Sequence, residues 1–113
     1  MDVVTRVTFV DDDRQKFFGE GPARLMNAIE REGSLRAAAI SMGMAYTKAL
    51  KIMKNAEKAL GFALTTRTVG GKDGGGSQLT PEGKEWLRRY EEYRDACVAA
   101  CHKIYLERFP EQR

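Results

Sequence analysis

The sequence has little of the chemistry that catalytic and metal-binding sites use, with one histidine and two cysteines among 113 residues. Cys97 and Cys101 lie four residues apart in a helical pattern, which is too few and too close for a disulfide framework. His102 points about 100° away from Cys101 around that helix, so no metal site is expected. There is no paired acid–base constellation and no nucleophile motif, so neither an enzyme nor a bound cofactor is expected.

Long apolar runs are also missing. The longest such run is far below the roughly 18 residues that a membrane-spanning helix needs. The start of the chain lacks the cationic residues and apolar core of a signal peptide. No membrane association is expected, and the cytoplasm is the expected location. A chain of this length is expected to form one domain.

Positive charge is concentrated in the middle of the chain. Residues 34–80 hold seven Lys and Arg against two Asp and Glu. Residues 1–33 hold five against seven, and residues 81–113 hold seven of each. A phosphate-binding surface needs such a local excess, because neutralised phosphates release counterions and this release supplies most of the binding energy. A chance cluster of solvated lysines is the alternative.

The hydrophobic pattern predicts eight elements in the order β-β-α-α-α-β-β-α. Acidic residues 11–13 are consecutive, which favours a turn between the first two strands over a calcium loop. The predicted elements are strands over 3–10 and 15–18, a helix from Pro22 that Gly33 ends, a helix capped by Ser34 and ended by Gly43, a helix over 45–60, strands over 62–69 and 77–80, and a helix from Pro81 to about Phe109.

Residues 34–60 have the pattern of a helix-turn-helix. The first helix of this motif needs a very small residue where the two helices cross, and Ala39 meets that need. The turn needs a residue that tolerates positive φ, and Gly43 does. This spacing is common in protein sequences, so by itself it is weak evidence for the motif. The basic helix and the glycine-rich hairpin that come after it in the chain strengthen the prediction.

The second helix of this motif carries a basic face opposite its apolar stripe. Lys51 and Lys54 are spaced three apart on that face. The first turn of a recognition helix usually meets base edges in DNA. Thr47, Lys48 and Lys51 are therefore assigned to base edges or nearby phosphates, and Tyr46 to a phosphate or sugar. A surface helix with solvated lysines is the alternative.

Five of the seven residues from Gly70 to Gly76 are glycine. Lys72 stands at the tip of this loop, and Arg67 and Ser77 flank it on the predicted strands. A nucleotide phosphate loop would need a Gly-Lys-Ser/Thr ending and a following helix, whereas Lys72 precedes Asp73 and a strand. A plain flexible hairpin is possible. The basic charge and the preceding helix-turn-helix favour a wing that contacts the phosphodiester backbone or the minor groove.

The last predicted helix has about 29 residues and would be about 43 Å long. A helix of this length cannot bury its whole apolar stripe on one small domain. Its start is expected to pack on the winged helix, and its distal part is expected to meet the same helix of a second copy. A helix that folds back within the monomer is the alternative. The residues assigned to the dimer interface are Trp86, Tyr90, Tyr93, Cys97, Cys101 and Ile104.

Together these patterns predict an α+β, mainly α fold: a winged helix-turn-helix with an N-terminal β-hairpin and a long C-terminal dimerisation helix. Residues 1–80 are predicted to form the winged helix-turn-helix domain, with the helix-turn-helix over 34–60 and the wing over 62–80. Residues 81–113 are predicted to form the dimerisation helix as part of the same domain.

Three stretches resemble the DNA-binding domain of ModE-type molybdate-responsive regulators, which are winged helices related to the LysR-type regulator domain. These stretches are residues 34–39, 42–46 and 70–83, and the similarity covers roughly residues 5–95. The glycine-rich wing that leads into Leu79-Thr80-Pro81-Glu82-Gly83 is the most diagnostic part. Three positions depart from the usual family residues, namely Ala45 where serine is common, Leu50 near a common tryptophan, and Asp73 in place of a glycine.

The resemblance implies a bacterial transcription regulator that binds double-stranded DNA sequence-specifically as a homodimer. Its helix from near Ala45 would lie in the major groove. Full-length regulators of this type bind molybdate in a separate C-terminal β-barrel domain, so molybdate is not expected to bind this chain alone. A protein-interaction module without direct DNA binding is the alternative. The residues assigned to DNA are Ser34, Arg36, Tyr46, Thr47, Lys48, Lys51, Lys54, Arg67, Lys72 and Ser77.

Overall fold

The computed structural model describes residues 1–68 and 75–112, and its elements follow the predicted order. The strands form two separate antiparallel ribbons, β1 with β2 and β3 with β4. The elements are β1 Phe9–Val10, β2 Lys16–Phe18, α1 Glu20–Glu32, α2 Leu35–Ser41, α3 Tyr46–Leu60, β3 Thr65–Thr68, β4 Gly76–Leu79 and α4 Pro81–Arg108, followed by a 3₁₀ turn at Pro110–Gln112.

Two helix starts are fixed by the predicted hydroxyl caps. The Ser34 side chain accepts a hydrogen bond from the backbone N–H of Ala37 at 3.0 Å and begins α2. The Thr80 side chain accepts from the N–H of Gly83 at 2.9 Å and begins α4. Each cap satisfies a backbone donor that has no partner inside its helix.

The turn between α2 and α3 uses glycine as predicted. Gly43 has a φ of 66°, a value that side chains with a Cβ rarely adopt. The N–H of Met44 donates to the carbonyl of Ala39 at 3.0 Å and closes the turn. Ala39 is 1% exposed, which allows α2 to lie close to its neighbouring helices. α2, this turn and α3 lie within residues 34–60, the range predicted for the helix-turn-helix.

The core lies where α1, α3, the ribbon β1–β2 and the first half of α4 meet. Its largest fully buried side chains come from four separate parts of the chain, so each element is held by side chains of the others. They are Tyr90, Phe18, Leu25, Met26, Ile29 and Leu64.

The predicted first strand is only partly correct. Its ladder to β2 covers just Phe9–Val10, whereas residues 1–8, here called the N-terminal segment, lie along α4. The hydroxyl of Tyr90 donates to the carbonyl of Val7 at 2.8 Å, and the hydroxyl of Tyr105 donates to the carbonyl of Met1 at 2.9 Å. The alternating apolar residues of this segment therefore pack against a helix, which gives the same period-two pattern as a strand in a ladder.

Two further element starts differ from the predictions by at least two residues. α1 begins at Glu20, so Pro22 is its third residue instead of its first. That place suits proline equally well, because N–H groups in the first turn have no partner within the helix. β3 begins at Thr65 instead of at residue 62, because Leu64 is turned into the core and its N–H donates to the Glu57 carboxylate at 2.8 Å.

α4 has 28 residues and gives the molecule its length. The radius of gyration is 16.8 Å, against about 13 Å for a compact chain of this size. The first half of α4 packs on the body, where Arg94 pairs with Glu20 at 2.6 Å. Farther along, Tyr105 contacts Met1 of the N-terminal segment. Within the part of the chain that the structure describes, no helix has the length and apolar character to cross a membrane.

Candidate nucleic-acid interface

An open groove lies between the starts of α2 and α3 on one side and the wing strands β3 and β4 on the other. Six of the ten residues assigned to DNA line it, so residues far apart in sequence come together here. These six are Ser34, Arg36, Tyr46, Lys54, Arg67 and Ser77.

The outer face of α3 carries three more of the assigned residues. Thr47, Lys48 and Lys51 are all exposed. On the opposite face, Ala49 and Met53 are buried in the core and hold the helix in place. The core therefore fixes the direction in which the lysines project, and this basic face continues from the edge of the groove.

Arg36 and Tyr46 come from different helices and meet at the groove. The Arg36 guanidinium carbon lies 4.3 Å from the centroid of the Tyr46 ring, within the range of a cation–π contact. Arg36 is exposed and Tyr46 is half-buried. The sequence indicated both residues as DNA contacts but gave no sign that they stack on each other.

α3 starts without a side-chain cap, unlike α2 and α4. Its N-cap is Ala45, which has the extended backbone of a cap but no side-chain hydrogen bond. A serine at this position, as is common in the resembling family, would have a hydroxyl to offer the free N–H groups.

The base of the wing is fastened to the turn between α1 and α2. The N–H of Ser77 donates to the carbonyl of Gly33 at 2.9 Å. A Cβ at Gly76 would collide with that same carbonyl oxygen, so only glycine permits this approach. Arg67 pairs with Ser77 across the ladder. The base of the wing therefore lies beside Ser34, the N-cap of α2.

Part of the predicted wing lies outside the described residues. Lys72 and most of the glycine run are in residues 69–74, so the structure says nothing of the assigned Lys72. Of the described wing glycines, Gly75 has a φ of 123° and Gly76 makes the close approach to Gly33. Both serve the geometry of the wing itself.

Glu57 is a residue of the groove that the sequence reasoning missed. It is the one acid in α3, among four lysines, and its side chain is 17% exposed. One carboxylate oxygen accepts the N–H of Leu64 at 2.8 Å, and the other lies 3.9 Å from the Lys54 ammonium. Glu57 thus ties α3 to the start of the wing. In the sequence, the position of this single acid among the lysines of α3 was the feature that could have indicated its role.

The residues assigned to a dimer interface lie in different surroundings along α4. Tyr93 and Ile104 are 54% and 52% exposed, and Cys97 and Cys101 are half-buried. These four residues leave an apolar strip on the distal part of α4.

Trp86 and Tyr90 lie within the protomer's own packing. Tyr90 is 1% exposed, and its ring is 5.0 Å from that of Phe18. Trp86 is half-buried, with its ring 5.3 Å from Phe18 and 5.5 Å from Phe9. The aromatic side chains of the N-terminal ribbon occupy this part of the helix. The exposed strip of α4 therefore begins after Tyr90.

Cysteine and histidine do not come together as ligands here. Within residues 1–68 and 75–112, no three side chains of His, Cys, Asp or Glu are placed to hold a metal ion. The His102 ring lies beside Tyr105, with the ring centroids 6.1 Å apart.

Comparison with known proteins agrees with this arrangement. Residues 23–84 match the family described as bacterial regulatory helix-turn-helix protein, lysR family. That range covers most of α1, the helix-turn-helix, the wing and the first turn of α4. It therefore covers all six residues of the groove named above.

Three relatives match more than half of the chain each. The molybdenum transport protein ModE of Herbaspirillum seropedicae is 33% identical over 89 residues, which are 79% of this chain and 31% of that protein. The ModE of Azotobacter vinelandii is 33% identical over 91 residues, 77% of this chain and 34% of that protein. The molybdenum-pterin-binding protein MopB of Rhodobacter capsulatus is 38% identical over 66 residues, 58% of this chain and 24% of that protein. The chain thus spans about a third or less of the length of each of these relatives.

A solved structure shares the fold. It is described as the crystal structure of a BenM_DBD/benA site 1 DNA complex, and it superposes with a TM-score of 0.52 over 75% of this chain and 93% of that chain. The identity is 23%, so the likeness supports the winged-helix fold alone. The predicted fold class and the predicted resemblance to ModE-type, LysR-related domains are confirmed. The family model matches more than half of the residues of this chain. The chain therefore belongs to the lysR family of bacterial regulatory helix-turn-helix proteins.

Proposed function

We propose that this chain is a DNA-binding transcription regulator that recognises duplex DNA with α3 and the groove beside it. The observation that carries the proposal is the convergence on one surface of residues from α2, α3, β3 and β4 that suit phosphates and base edges. Membership in a family of regulatory helix-turn-helix proteins supports a regulator, not an enzyme.

The geometry supports a division of the proposed DNA contacts between α3 and the groove. Thr47, Lys48 and Lys51 project from the outer face of α3 and would meet base edges and nearby phosphates of the major groove. Ser34 and Arg67 face the groove between α3 and the wing, which would receive the sugar–phosphate backbone. Lys72 would add a phosphate contact from the wing.

The proposed regulator acts as a homodimer. The strip of Tyr93, Cys97, Cys101 and Ile104 supports this, because its exposed apolar area lies on a helix that extends well beyond the body. Two copies related by a twofold axis would present two α3 helices to a palindromic site, with half-sites about 34 Å apart or a multiple of this. Since its proposed partner is chromosomal DNA, we infer a cytoplasmic location.

Selection from a random duplex library tests both parts of this proposal. We expect an inverted repeat, whose spacing reports the distance between the two α3 helices. Lys51→Ala is expected to weaken binding about tenfold and to reduce the slope of log K against log salt by about 0.9 per lost phosphate contact. Within the described residues Lys51 has no ion-pair partner, so its removal should leave the fold intact.

Lys103→Ala is the matched control for this substitution. Lys103 is an exposed lysine of α4, about 33 Å along that helix from Pro81. Its replacement removes the same charge from the protein and should leave the affinity unchanged. An absence of duplex affinity at low salt would contradict the proposed function and favour a protein-interaction module.

A further inference from the structure

We propose that Arg36 and Tyr46 act as one stacked unit that binds a phosphate of the DNA strand lying in the groove. This inference rests on the proposed function and adds to it a defined contact with a defined geometry. It concerns two residues on different helices, brought together by the Gly43 turn.

The contact with Tyr46 restricts where the guanidinium can lie. The Arg36 Cζ lies over the Tyr46 ring, 4.3 Å from its centroid. The N–H donors point outward in the guanidinium plane, so stacking leaves them free to donate. Among the described residues no carboxylate pairs with Arg36, which leaves its planar pair of donors available for two oxygens of one phosphate.

The surroundings of the pair suit a phosphate. The hydroxyls of Ser34, Tyr46 and Ser77 line the same groove, and each can donate to a phosphate oxygen. Arg67 adds a second positive charge on the wing side. Among the described residues, Glu57 is the one acid lining the groove, and its two oxygens are already directed at the Leu64 N–H and towards Lys54.

The pair also lies beside the face that would read bases. Arg36 is the second residue of α2, and the base-reading residues assigned here lie on α3. The proposed phosphate contact would therefore set the position of α3 relative to the duplex without adding to base preference. A contact with a guanine edge would instead alter the recovered sequence motif at one position.

A double-mutant cycle on duplex affinity tests the stacked unit. Arg36→Lys keeps the charge but loses the planar donors, and we expect about a tenfold loss of affinity. Tyr46→Leu removes the ring, and we expect a loss of similar size because the guanidinium is no longer held. The double variant should bind about as well as either single variant, whereas multiplication of the two losses would overturn the proposal.

Arg67→Lys is the matched comparison, because Arg67 lines the same groove without a stacked ring in the described contacts. Its expected loss is about threefold. If Tyr46→Leu proves unstable in thermal unfolding, the affinity losses of Arg36→Lys and Arg67→Lys are compared instead. Equal losses of duplex affinity in these two variants would overturn the proposal. Tyr46→Phe keeps the ring and should keep most of the affinity.

The readouts separate this inference from the proposed function. If the wild-type chain binds duplex and Lys51→Ala weakens it, while the cycle is additive, only the stacked unit is wrong. A changed base preference in the motif selected by Arg36→Lys would also overturn the assignment to phosphate. If the wild-type chain does not bind duplex at low salt, the proposed function itself fails.

Discussion

The two β-ribbons of this molecule are both short but are held in different ways. The N-terminal ribbon, β1 with β2, contributes aromatic side chains to the core, and Phe18 is 1% exposed between Trp86 and Tyr90. The wing, β3 with β4, buries one side chain of its strands, Leu79. It is held instead through its backbone and its glycines.

This difference determines what the side chains of each ribbon can do. The aromatic residues of the first ribbon pack against α4, so they cannot also face a ligand. The wing is positioned by hydrogen bonds. The N–H of Ser77 donates to the Gly33 carbonyl, and the N–H of Leu64 donates to the Glu57 carboxylate. The Thr80 hydroxyl donates to the Ala63 carbonyl. These bonds use few outward-facing groups, so Arg67 remains available to the groove.

The largest expected effect is a loss of stability on removing a buried side chain of the N-terminal ribbon. Phe18→Ala removes a ring from the aromatic cluster around Trp86 and Tyr90 and leaves a cavity. The free energy of unfolding should fall by about 3–5 kcal/mol, measured by urea denaturation. The exposed Val10 of the same ribbon is the control, and Val10→Ala should change stability by less than about 0.5 kcal/mol. A loss below about 1 kcal/mol at Phe18 would contradict the division between the two ribbons.

A substitution in the wing is expected to reduce stability less than Phe18→Ala does, but to weaken duplex binding as well. Gly76→Ala places a Cβ against the Gly33 carbonyl oxygen and displaces the Ser77 hydrogen bond. We expect destabilisation of about 1–3 kcal/mol in urea, together with weakened duplex binding by the folded protein.

Gly21→Ala is the matched control for that substitution. Gly21 lies in the first turn of α1, without a positive φ, and a Cβ there meets no atom within 4 Å. The change should be neutral or stabilise the protein by up to about 1 kcal/mol. If Gly76→Ala behaved like Gly21→Ala, backbone contact with Gly33 would not be what positions the wing.

Local signals in the sequence predicted the order and most ends of the elements. Ser34 and Thr80 cap helices because a hydroxyl at that position satisfies a nearby N–H, and Gly43 allows the turn because it tolerates positive φ. These effects act over a few residues, so they can be recognised without the fold. The basic face of α3 was likewise predictable from the spacing of its lysines.

Contacts between distant residues were beyond such reasoning. Tyr90 and Val7 are 83 positions apart, and the alternation of the N-terminal segment suits a helix surface as well as a strand. The same limit explains the assignment of Tyr90 to a dimer interface, because helical spacing does not say which side of an apolar stripe meets its own core. The Arg36–Tyr46 stack depends on where two helices cross, which spacing alone does not specify. The roles assigned to the DNA and dimer residues stay predictions.

The smallest effect on stability is expected from removing the hydrogen bond between Tyr90 of α4 and Val7, which lies just before the N-terminal ribbon. Tyr90→Phe removes the hydroxyl that donates to Val7 and leaves a part-buried carbonyl without this donor. The free energy of unfolding should fall by about 0.5–1.5 kcal/mol, with duplex affinity unchanged. Tyr105→Phe is the control, since its bond to Met1 is exposed and should contribute less.

The pH dependence of the Tyr90 variant sharpens that test. Burial, with a further contribution from the Glu20 charge, raises the pKa of Tyr90 above its unfolded value of 10.0. The folded state thus favours the protonated hydroxyl, whose contribution is complete below about pH 10 and is lost as the pH rises through the folded-state pKa. Tyr90→Phe should therefore flatten the alkaline fall in stability, seen in urea midpoints measured across that range. An unchanged alkaline slope would mean that the hydroxyl of Tyr90 is not held by the fold, and the N-terminal ribbon would then depend on its rings alone.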